Sequence, residues 1–296
     1  MTPRVWHITG ANTGLGLELV LKVLNEGDQV VAAVRSPSKV PDSLKVDGVK
    51  VLQYDLTLSQ EEMQAYAEKA FAAFGRVDVL VNNAGYAYMG TIEETEDAQV
   101  RTQFDINVFG ILRTIRAFLP HFRAQAPSPS TPGSGTILNL SSIGGYRSYP
   151  SNGIYCATKF ALEAITEALA AEIAPFGLTA VAVEPGYFRT SFLSGVSGGA
   201  GSGNLAPPMA VYEGTVAHSA RKHMLEVDGK QPGNPVEAAA RIWEFVVGEG
   251  LCKGKERRGR LPLGSDAGME MRRVGDELVE TARVYERVWR STDYRE

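Results

Sequence analysis

The sequence predicts an α/β fold in which a doubly wound parallel sheet is covered by helices on both faces. Short apolar segments alternate regularly with segments of helical periodicity between residues 5 and 183. Several strands are mostly apolar, as residues 77–81 illustrate, and this is typical of a sheet that is buried on both sides. Regular alternation of strand and helix produces right-handed βαβ units, so the strands should be parallel.

The individual elements follow from this alternation. Segments with the composition of strands are residues 5–9, 29–34, 49–54, 77–81, 136–140, 178–183 and 260–263. Segments with apolar residues at helical spacing are 15–25, 61–74, 104–122, 154–174, 235–247 and 266–289. Each of these helices has an apolar face that can pack on the sheet, and the last one is also strongly charged.

The chain of 296 residues is expected to form a single domain, 1–296, with a small flexible substrate-binding cap over residues 190–232. Residues 126–135 are rich in proline, serine and glycine and are expected to form an exposed loop. Residues 194–204 are rich in glycine and serine and are expected to be mobile. The cap follows a strand of the sheet, so it should lie at the edge where such folds bind ligands.

Composition excludes several classes of protein. A hydrophobic content of 44% is that of a globular chain with a packed core, and a net charge of -4 argues against a nucleic-acid partner. We see no apolar run of the roughly 18 residues that a membrane span needs, and no signal peptide. The two cysteines do not make a disulfide framework or a metal site. We therefore expect a cytoplasmic protein without a bound metal.

A glycine-rich turn separates the first strand from the first helix. Its spacing is Gly-x-x-x-Gly-x-Gly, which differs from the commoner dinucleotide fingerprint and from a Walker loop. Glycines let backbone amides approach a pyrophosphate, which the N-terminus of the following helix attracts. A turn that merely requires positive φ angles is the alternative, but its position favours a Rossmann-type cofactor loop. The candidate cofactor-binding residues here are Gly10, Asn12, Thr13, Gly14, Leu15 and Gly16.

The residues after the second strand indicate which dinucleotide is bound. NAD-binding folds place a carboxylate there for the adenine ribose, whereas a nearby arginine accommodates the phosphate of NADP. This strand ends in Val34 and is followed by Arg35 and Ser36. A guanidinium can pair with a phosphate and lie over the adenine, so the sequence favours NADP(H) over NAD(H). The alternative is that Arg35 is a solvated surface residue and the enzyme is indifferent.

A candidate catalytic group has the spacing Ser-x12-Tyr-x3-Lys at Ser142, Tyr155 and Lys159. Tyr155 and Lys159 share one face of a predicted helix. A tyrosine side chain has a pKa of about 10, and a nearby ammonium makes it a usable acid or base closer to neutral pH. Most Tyr-x-x-x-Lys pairs are structural, but the cofactor loop and Ser142 favour a catalytic function for this one.

These motifs, taken in chain order, resemble those of the short-chain dehydrogenase/reductase family in its one-domain form. The resemblance extends from about residue 5 to residue 190, and it includes the cofactor loop and the Ser-Tyr-Lys group. Further matching positions are Asp55 and Leu56 at the adenine, Asn82, Asn83, Ala84 and Gly85 after the fourth strand, Asn107 of the catalytic tetrad, and Pro185, Gly186, Phe188 and Thr190 in the nicotinamide segment. Residues 155–163 and the C-terminal helix resemble the branch with 17β-hydroxysteroid dehydrogenase-like enzymes.

The resemblance implies a Rossmann fold and a hydride transfer between NADP(H) and a carbonyl or alcohol on a small lipophilic molecule. Tyr155 would transfer the proton and Ser142 would hold the substrate oxygen. Lys159 would lower the pKa of Tyr155 and hold the nicotinamide ribose, and Asn107 would support a water leading to Lys159. The alternative is a non-redox member of the fold, either a regulator that binds NADP(H) or an isomerase or cyclase. The resemblance also implies a homodimer or homotetramer through the helical segments 109–122 and 154–173, although an apolar stripe on a helix more often packs in the core.

Two further features border this predicted site. Aromatic residues follow the strands at its mouth and would line an apolar pocket or pack on the core: Tyr146, Tyr149, Tyr187, Phe188 and Phe192. Cys156 adjoins Tyr155 but points away from it along a helix, so we expect a core thiol.

Overall fold

The computed structural model describes residues 2–127, 134–197 and 204–294. The predicted loops at 126–135 and 194–204 therefore lie mostly outside the described residues. Within this part of the chain, no helix is both long and apolar enough to cross a lipid bilayer.

A seven-stranded parallel sheet forms the centre of the molecule, with the strand order β3-β2-β1-β4-β5-β6-β7. The strands are β1 Val5–Thr9, β2 Gln29–Val34, β3 Val49–Gln53, β4 Val79–Asn82, β5 Gly135–Leu140, β6 Leu178–Pro185 and β7 Arg260–Leu263. The order reverses direction between β1 and β4, whose carboxyl ends therefore border a crevice. The Rossmann-type α/β fold that the sequence predicts is confirmed.

Helices cover both faces of this sheet. The helices are α1 Gly14–Asn25, α2 Gln60–Ala72, α3 Asp97–Phe104, α4 Ile111–Ala124, α5 Gly153–Ile173, α6 Phe192–Ser197, α7 Val216–Glu226, α8 Pro235–Val247, α9 Ser265–Val284 and α10 Glu286–Arg290. One apolar core lies between the sheet and the pair α1 and α8. A second lies between the opposite face and the helices α2, α4 and α5. Because both faces are covered, most positions of the central strands are apolar.

The predicted helix 104–122 is wrong at its beginning. The helical segment starts earlier, at Asp97, and a π-helical turn at Asp105–Gly110 joins α3 to α4. In α3 only Gln103 is buried, so the segment has no apolar stripe to reveal it. The π turn also inserts a residue into the helical repeat, which interrupts the spacing of apolar positions at that point.

The described part of the cap contains a helix that the sequence analysis does not predict. This helix is α7, and its N-terminus is capped by the Thr215 side chain, which accepts a hydrogen bond from the His218 amide. No residue of α7 is buried. A short helix without a buried face lacks the periodic signal on which the sequence prediction depends.

Candidate active site

The cofactor loop lies between β1 and α1, at the crevice where the strand order reverses. Gly10 and Gly14 adopt φ angles of 64° and 53°, in the left-handed region that favours glycine. Thr13 precedes α1 in an extended conformation, and its side chain makes no capping hydrogen bond. The first amides of α1 are therefore not capped by their own N-cap residue, and they point towards the crevice.

A close approach of backbone segments explains the third glycine of the loop. A Cβ atom at Gly16 would overlap the carbonyl oxygen of Gly10 and would lie 2.5 Å from Nδ2 of Asn83. Asn83 Nδ2 donates a hydrogen bond of 2.7 Å to the carbonyl of Thr9. Asn83 thus holds the cofactor loop in place from the neighbouring strand, as a structural support.

Thr9, the last residue of β1, also supports the candidate site, and it is not among the candidate residues named from the sequence. Its hydroxyl oxygen accepts hydrogen bonds of 2.9 Å from the amides of both Asn83 and Ala84. The side chain is buried, with 1% of its surface exposed. A threonine at the end of a strand gives no signal of this function in a single sequence, because its partners are more than 70 residues away.

The residues expected to contact the adenosine half of a dinucleotide lie along the edge of the sheet beyond β2. Arg35 and Ser36 are exposed directly after β2. No hydrogen bond or ion pair of the Arg35 guanidinium is seen within the described residues. Asp55 is half-buried, and its Oδ1 accepts hydrogen bonds from the amide and the hydroxyl of Thr57. Leu56 is buried beside them.

Tyr155 lies in the first turn of α5 with 9% of its surface exposed. Burial raises the pKa of the Tyr155 phenol above its usual value, and a hydrogen bond with the Ser142 side chain opposes this shift. The Ser142 oxygen also accepts a hydrogen bond of 3.0 Å from the Gly144 amide, which fixes its position after β5. The structure therefore brings Tyr155 and Ser142 together, with the phenol held in its protonated form.

Lys159 follows Tyr155 by one turn of α5 and is 4% exposed. Its Nζ donates a hydrogen bond of 2.7 Å to the Leu140 carbonyl and lies 5.7 Å from the centre of the Tyr155 ring. Burial lowers the pKa of Lys159 to about 8, whereas the charge of Glu163 acts in the opposite direction. A Cβ atom at Gly85 would lie 3.7 Å from this nitrogen, so Gly85 borders the same site.

Asn107 lies in the π-helical turn and is completely buried. Its Oδ1 accepts a hydrogen bond of 2.8 Å from the Tyr86 amide, and its Nδ2 donates one of 2.7 Å to the Tyr86 carbonyl. Nδ2 also donates to the Thr158 hydroxyl at 3.1 Å. The Asn107 side chain thus fixes the segment after β4 against α5. Its contact on α5 is Thr158, which lies between Tyr155 and Lys159 in the sequence.

The segment from Pro185 to Thr190 lies over the cofactor loop. A Cβ atom at Gly14 would lie 3.4 Å from the Cβ of Thr190. Asp266, which the sequence reasoning did not single out, accepts a hydrogen bond of 2.7 Å from the Tyr187 amide. Gly186 leaves the room for this carboxylate, since any Cβ there would overlap it. Phe188 packs against the core on the α1 and α8 face.

The cap places apolar side chains around Tyr155. The Phe192 ring of α6 lies 6.1 Å from the Tyr155 ring. The small apolar cluster around Tyr155 comprises Ala87, Met89, Cys156, Tyr149, Leu205 and Met224. The Tyr187 hydroxyl donates to Met224 Sδ at 3.2 Å. Of the predicted aromatic residues, Tyr149, Tyr187 and Phe192 border Tyr155 or the cap. The Tyr146 hydroxyl instead donates a hydrogen bond to the Ala267 carbonyl in α9.

A family model described as short chain dehydrogenase matches residues 4–198. The chain belongs to this family. Uncharacterized oxidoreductase YusZ of Bacillus subtilis (strain 168) is 31% identical over 258 residues, which cover 83% of this chain and 86% of that protein. The 17-beta-hydroxysteroid dehydrogenase type 1 of Homo sapiens is 30% identical over 256 residues, which cover 81% of this chain and 73% of that protein.

Solved structures agree with this assignment. A short-chain dehydrogenase from Streptomyces avermitilis is 34% identical, with a TM-score of 0.83 over 99% of this chain and 100% of that one. A 3-ketoacyl-(acyl-carrier-protein) reductase from Brucella melitensis, complexed with NADH, is 25% identical with a TM-score of 0.68 over 88% of this chain and 96% of that one. The predicted family is confirmed, and these matches support a redox enzyme.

Proposed function

We propose that this protein is an oxidoreductase that uses NADP(H) to reduce a carbonyl to an alcohol, or the reverse, on a small lipophilic substrate. The observation that carries the proposal is the arrangement of Tyr155 between the Ser142 side chain and the Lys159 ammonium. These groups lie next to a glycine loop of the shape that accommodates a pyrophosphate. A proton donor beside a dinucleotide site is what carbonyl reduction requires.

The residues at the crevice fit a dinucleotide. The left-handed glycines Gly10 and Gly14 and the uncapped beginning of α1 form a cradle for a diphosphate. Structures with the same fold hold NADH or NADP: the Brucella melitensis reductase and, at 24% identity and a TM-score of 0.68, a dehydrogenase from Burkholderia cenocepacia. The bound nicotinamide would supply or accept the hydride. The exposed Arg35 favours NADP(H), because its guanidinium has no partner among the described residues and can meet a phosphate.

The side chains of the site divide the proton chemistry among them. Ser142 donates a hydrogen bond to the substrate oxygen and holds it beside Tyr155. Tyr155 gives its proton to that oxygen in reduction and takes it back in oxidation. Lys159 stabilises the phenolate that remains, since its ammonium lies close to the ring. Asn107 fixes the segment after β4, so that Gly85 borders Lys159 at the correct distance.

The lining of the cap supports a lipophilic substrate. Met89, Leu205, Met224 and Phe192 present apolar side chains to the Tyr155 end of the crevice. Methionine adapts its shape to apolar ligands, and pockets for small molecules are mostly apolar with a few polar groups. We infer that the carbonyl group is directed to Ser142 and Tyr155 while an apolar body lies under the cap.

Replacement of Tyr155 tests the proposal. In Tyr155→Phe, we expect NADPH-dependent reduction over a panel of lipophilic ketones and aldehydes to fall at least 100-fold, because general acid catalysis of this kind contributes about 10²–10⁴. NADPH binding, measured by fluorescence titration, should change little. The matched control is Tyr285→Phe, which lies exposed at the end of α9 and should retain full activity. Full turnover by Tyr155→Phe on a working substrate would refute the assignment.

A non-redox member of the same fold is the alternative proposal. In that case NADPH would bind with ordinary affinity, but its absorbance would not change over any substrate of the panel. The buried Lys159 beside Tyr155 favours the redox function, since a regulator that only binds the cofactor has no need of both.

We also propose that the protein is a single domain that works in the cytoplasm as a homodimer or homotetramer. Phe109 and Phe160, which lie in or beside the two helices expected at the interface, are 50% and 45% exposed. Light scattering after size-exclusion chromatography tests the oligomer. The double variant Phe109→Asp and Phe160→Asp should elute as a monomer, and an unchanged mass would exclude this interface.

A further inference from the structure

A pair of buried glutamates continues the line of catalytic side chains along α5. Tyr155, Lys159 and Glu163 follow one another at four-residue steps, so they share one face of the helix. Glu163 is 4% exposed, as is Lys159. Glu184, in β6, is completely buried beside Glu163. The mechanism at Tyr155 does not use either glutamate.

Arg260 of β7 holds the two glutamates together. Its Nη1 lies 2.9 Å from Glu163 Oε2 and 2.9 Å from Glu184 Oε1. Both carboxylates therefore crowd around one nitrogen of a single guanidinium. Besides Arg260, the Ser141 hydroxyl lies within hydrogen-bonding reach of Glu163 and opposes the rise in the pKa of its carboxyl group that burial causes. Glu184 Oε2 has no hydrogen-bond donor within the described residues. Buried polar atoms of this kind normally have a donor, and a proton held between the two carboxyl groups would supply one.

The electrostatics agree with a shared proton. Burial, followed by the negative charge of Glu163, raises the pKa of Glu184 to about 8. Burial also raises the pKa of Glu163. Two carboxyl groups so close together lose their protons in separate steps, because the second charge is opposed by the first. With its pKa raised to about 8, Glu184 keeps its proton near neutral pH.

Other titratable groups surround this pair on each element that packs against it. They are Lys159 on α5, Tyr146 after β5, Arg260 on β7, and Glu167, which is exposed and lies 3.8 Å from Arg260. Lys159 and Arg260 are the cations among these groups. Arg260 is 39% exposed, so the pair can exchange its proton with solvent on that side.

We propose that Glu163 and Glu184 form a proton-sharing pair that keeps Lys159 in its ammonium form, and that Glu163 is a positioning residue for the proton transfer at Tyr155. This inference rests on the proposed function of Tyr155 and Lys159. As the pH rises, the pair loses its shared proton to water, and its charge changes from one negative to two. The added charge lies one helical turn from Lys159 and offsets the effect of burial, so the ammonium survives to higher pH.

The direct test follows the titration of Lys159 itself. We would record the ¹³C resonances of lysine Cε in the full chain without substrate, and identify Lys159 by its absence in Lys159→Arg. In Glu163→Gln, the midpoint of the Lys159 titration should fall by about one pH unit, the usual effect of losing a neighbouring opposite charge. The alkaline limb of kcat for NADPH-dependent ketone reduction should fall by the same amount, with KM for the ketone unchanged. Glu163→Asp, which keeps the charge, should restore most of both shifts.

The matched control is Glu167→Gln, which removes an exposed carboxylate from the next turn of the same helix. It should leave the Lys159 midpoint unchanged. An unshifted midpoint in Glu163→Gln, or an equal shift in both variants, would overturn the proposal. The lysine resonance is measured without turnover. If the protein reduces no ketone, the proposed function is refuted, but the titration of Lys159 still tests the proposal about Glu163 and Glu184.

Glu184→Gln tests whether the two glutamates share a proton. It can be used even if Glu163→Gln does not fold. Glutamine has nearly the shape of a protonated glutamate, so this variant should fold and keep the charge of Glu163. The infrared band of a protonated carboxyl at neutral pH should disappear in it, and the Lys159 midpoint should fall by less than in Glu163→Gln. A band that persists in Glu184→Gln, or that is absent from the wild-type protein, would contradict a proton-sharing pair.

Discussion

At the scale of single residues, a few buried polar atoms hold the active site together. Thr9 is the clearest case, because one hydroxyl accepts hydrogen bonds from two successive amides after β4. Those amides lie beside the cofactor loop, which Asn83 supports through the carbonyl of Thr9. The shape of the loop therefore depends on a side chain that contacts neither substrate nor catalytic groups.

Replacement of Thr9 by valine should loosen the loop. The isosteric side chain leaves the Ala84 amide without an acceptor, whereas the Asn83 amide keeps a hydrogen bond of 3.0 Å to the Val81 carbonyl. An unsatisfied buried group costs about 1–3 kcal/mol, so we expect the free energy of unfolding, measured with urea, to fall by about 1–3 kcal/mol and the dissociation constant for NADPH to rise. Thr9→Ser keeps the hydroxyl and is the control. Equal stability of the valine and serine variants would show that the two hydrogen bonds are unimportant.

We attribute the proposed preference for NADP(H) to one residue, Arg35. In Arg35→Ala, kcat/KM for NADPH should fall about 10- to 100-fold, because hydrogen bonds to a charged group contribute about 1.5–3 kcal/mol. The same quantity for NADH should change less than threefold. Lys50→Ala, which removes an exposed cation from β3, serves as the control and should affect neither. A parallel loss with both cofactors would mean that Arg35 does not distinguish them.

At the scale of elements, a buried carboxylate joins the first strand to the helices on one face of the sheet. Asp28, between α1 and β2, accepts hydrogen bonds from the Arg4 amide at 2.9 Å and from the Trp6 indole at 3.1 Å. The Trp243 indole of α8 donates to the same carboxylate at 3.4 Å. One side chain thus connects the first strand, the first helix and a helix more than 200 residues away.

Removal of this carboxylate should weaken the packing of α8. We expect Asp28→Ala to lower the free energy of unfolding by about 3–5 kcal/mol, because it leaves the buried donors unpaired and removes the partner of Arg4. Asp28→Asn retains an acceptor oxygen and should lose less than half as much. Tryptophan fluorescence during urea unfolding measures both, since Trp6 and Trp243 report directly on the contact. Identical losses in the two variants would argue against a hydrogen-bonding function.

The π-helical turn shows how an element serves the site. It carries Asn107 into the gap between the segment after β4 and α5, where the amide bonds to both. A regular helix from Asp97 onwards would rotate this side chain away from the gap, because each added residue turns the helix by about 100°. π-helical turns are frequent at functional sites, and this one supports the candidate tetrad.

At the scale of the whole molecule, the free energy of unfolding depends on pH partly through groups that are buried in their neutral form. His7 in β1 is completely buried, and its Nε2 lies 2.8 Å from the Tyr66 hydroxyl. Burial lowers the pKa of His7 to about 3, from an ordinary value of 6.5. The folded protein therefore keeps His7 neutral at a pH where the unfolded chain binds a proton.

The lowered pKa of His7 determines the direction in which the stability of the fold changes with pH. Stability from His7 is fully present above pH 6.5, where both states are neutral, and is lost as the pH falls towards 3. At pH 5 the loss should be about 2 kcal/mol, since each pH unit below the unfolded pKa costs about 1.4 kcal/mol. Urea unfolding at pH 7 and pH 5 measures this. In His7→Gln, which cannot titrate, the difference between the two pH values should be smaller by that amount. An unchanged difference would exclude His7 as its source.

Most of the fold and much of the candidate site could be predicted from short stretches of the sequence. The alternation of strand and helix, the glycine spacing and the Ser142, Tyr155 and Lys159 group all reside in short stretches of chain, and the fold and family are confirmed. The prediction failed for α3 and α7, because neither helix has a buried apolar stripe. Burial against the sheet generates the periodic pattern, so helices that pack at the edge of the site do not display it.

The sequence by itself determined the parallel sheet, the position of the cofactor loop and the pairing of Tyr155 with Lys159, because four residues along a helix always share a face. Only the tertiary structure decided what surrounds them. Thr9 meets the amide of Asn83 across 74 residues, and Asp266 meets that of Tyr187 across 79. Arg260 joins Glu163 to Glu184 from a third element. Such contacts depend on which strands become neighbours, and that is settled by the packing of the whole chain.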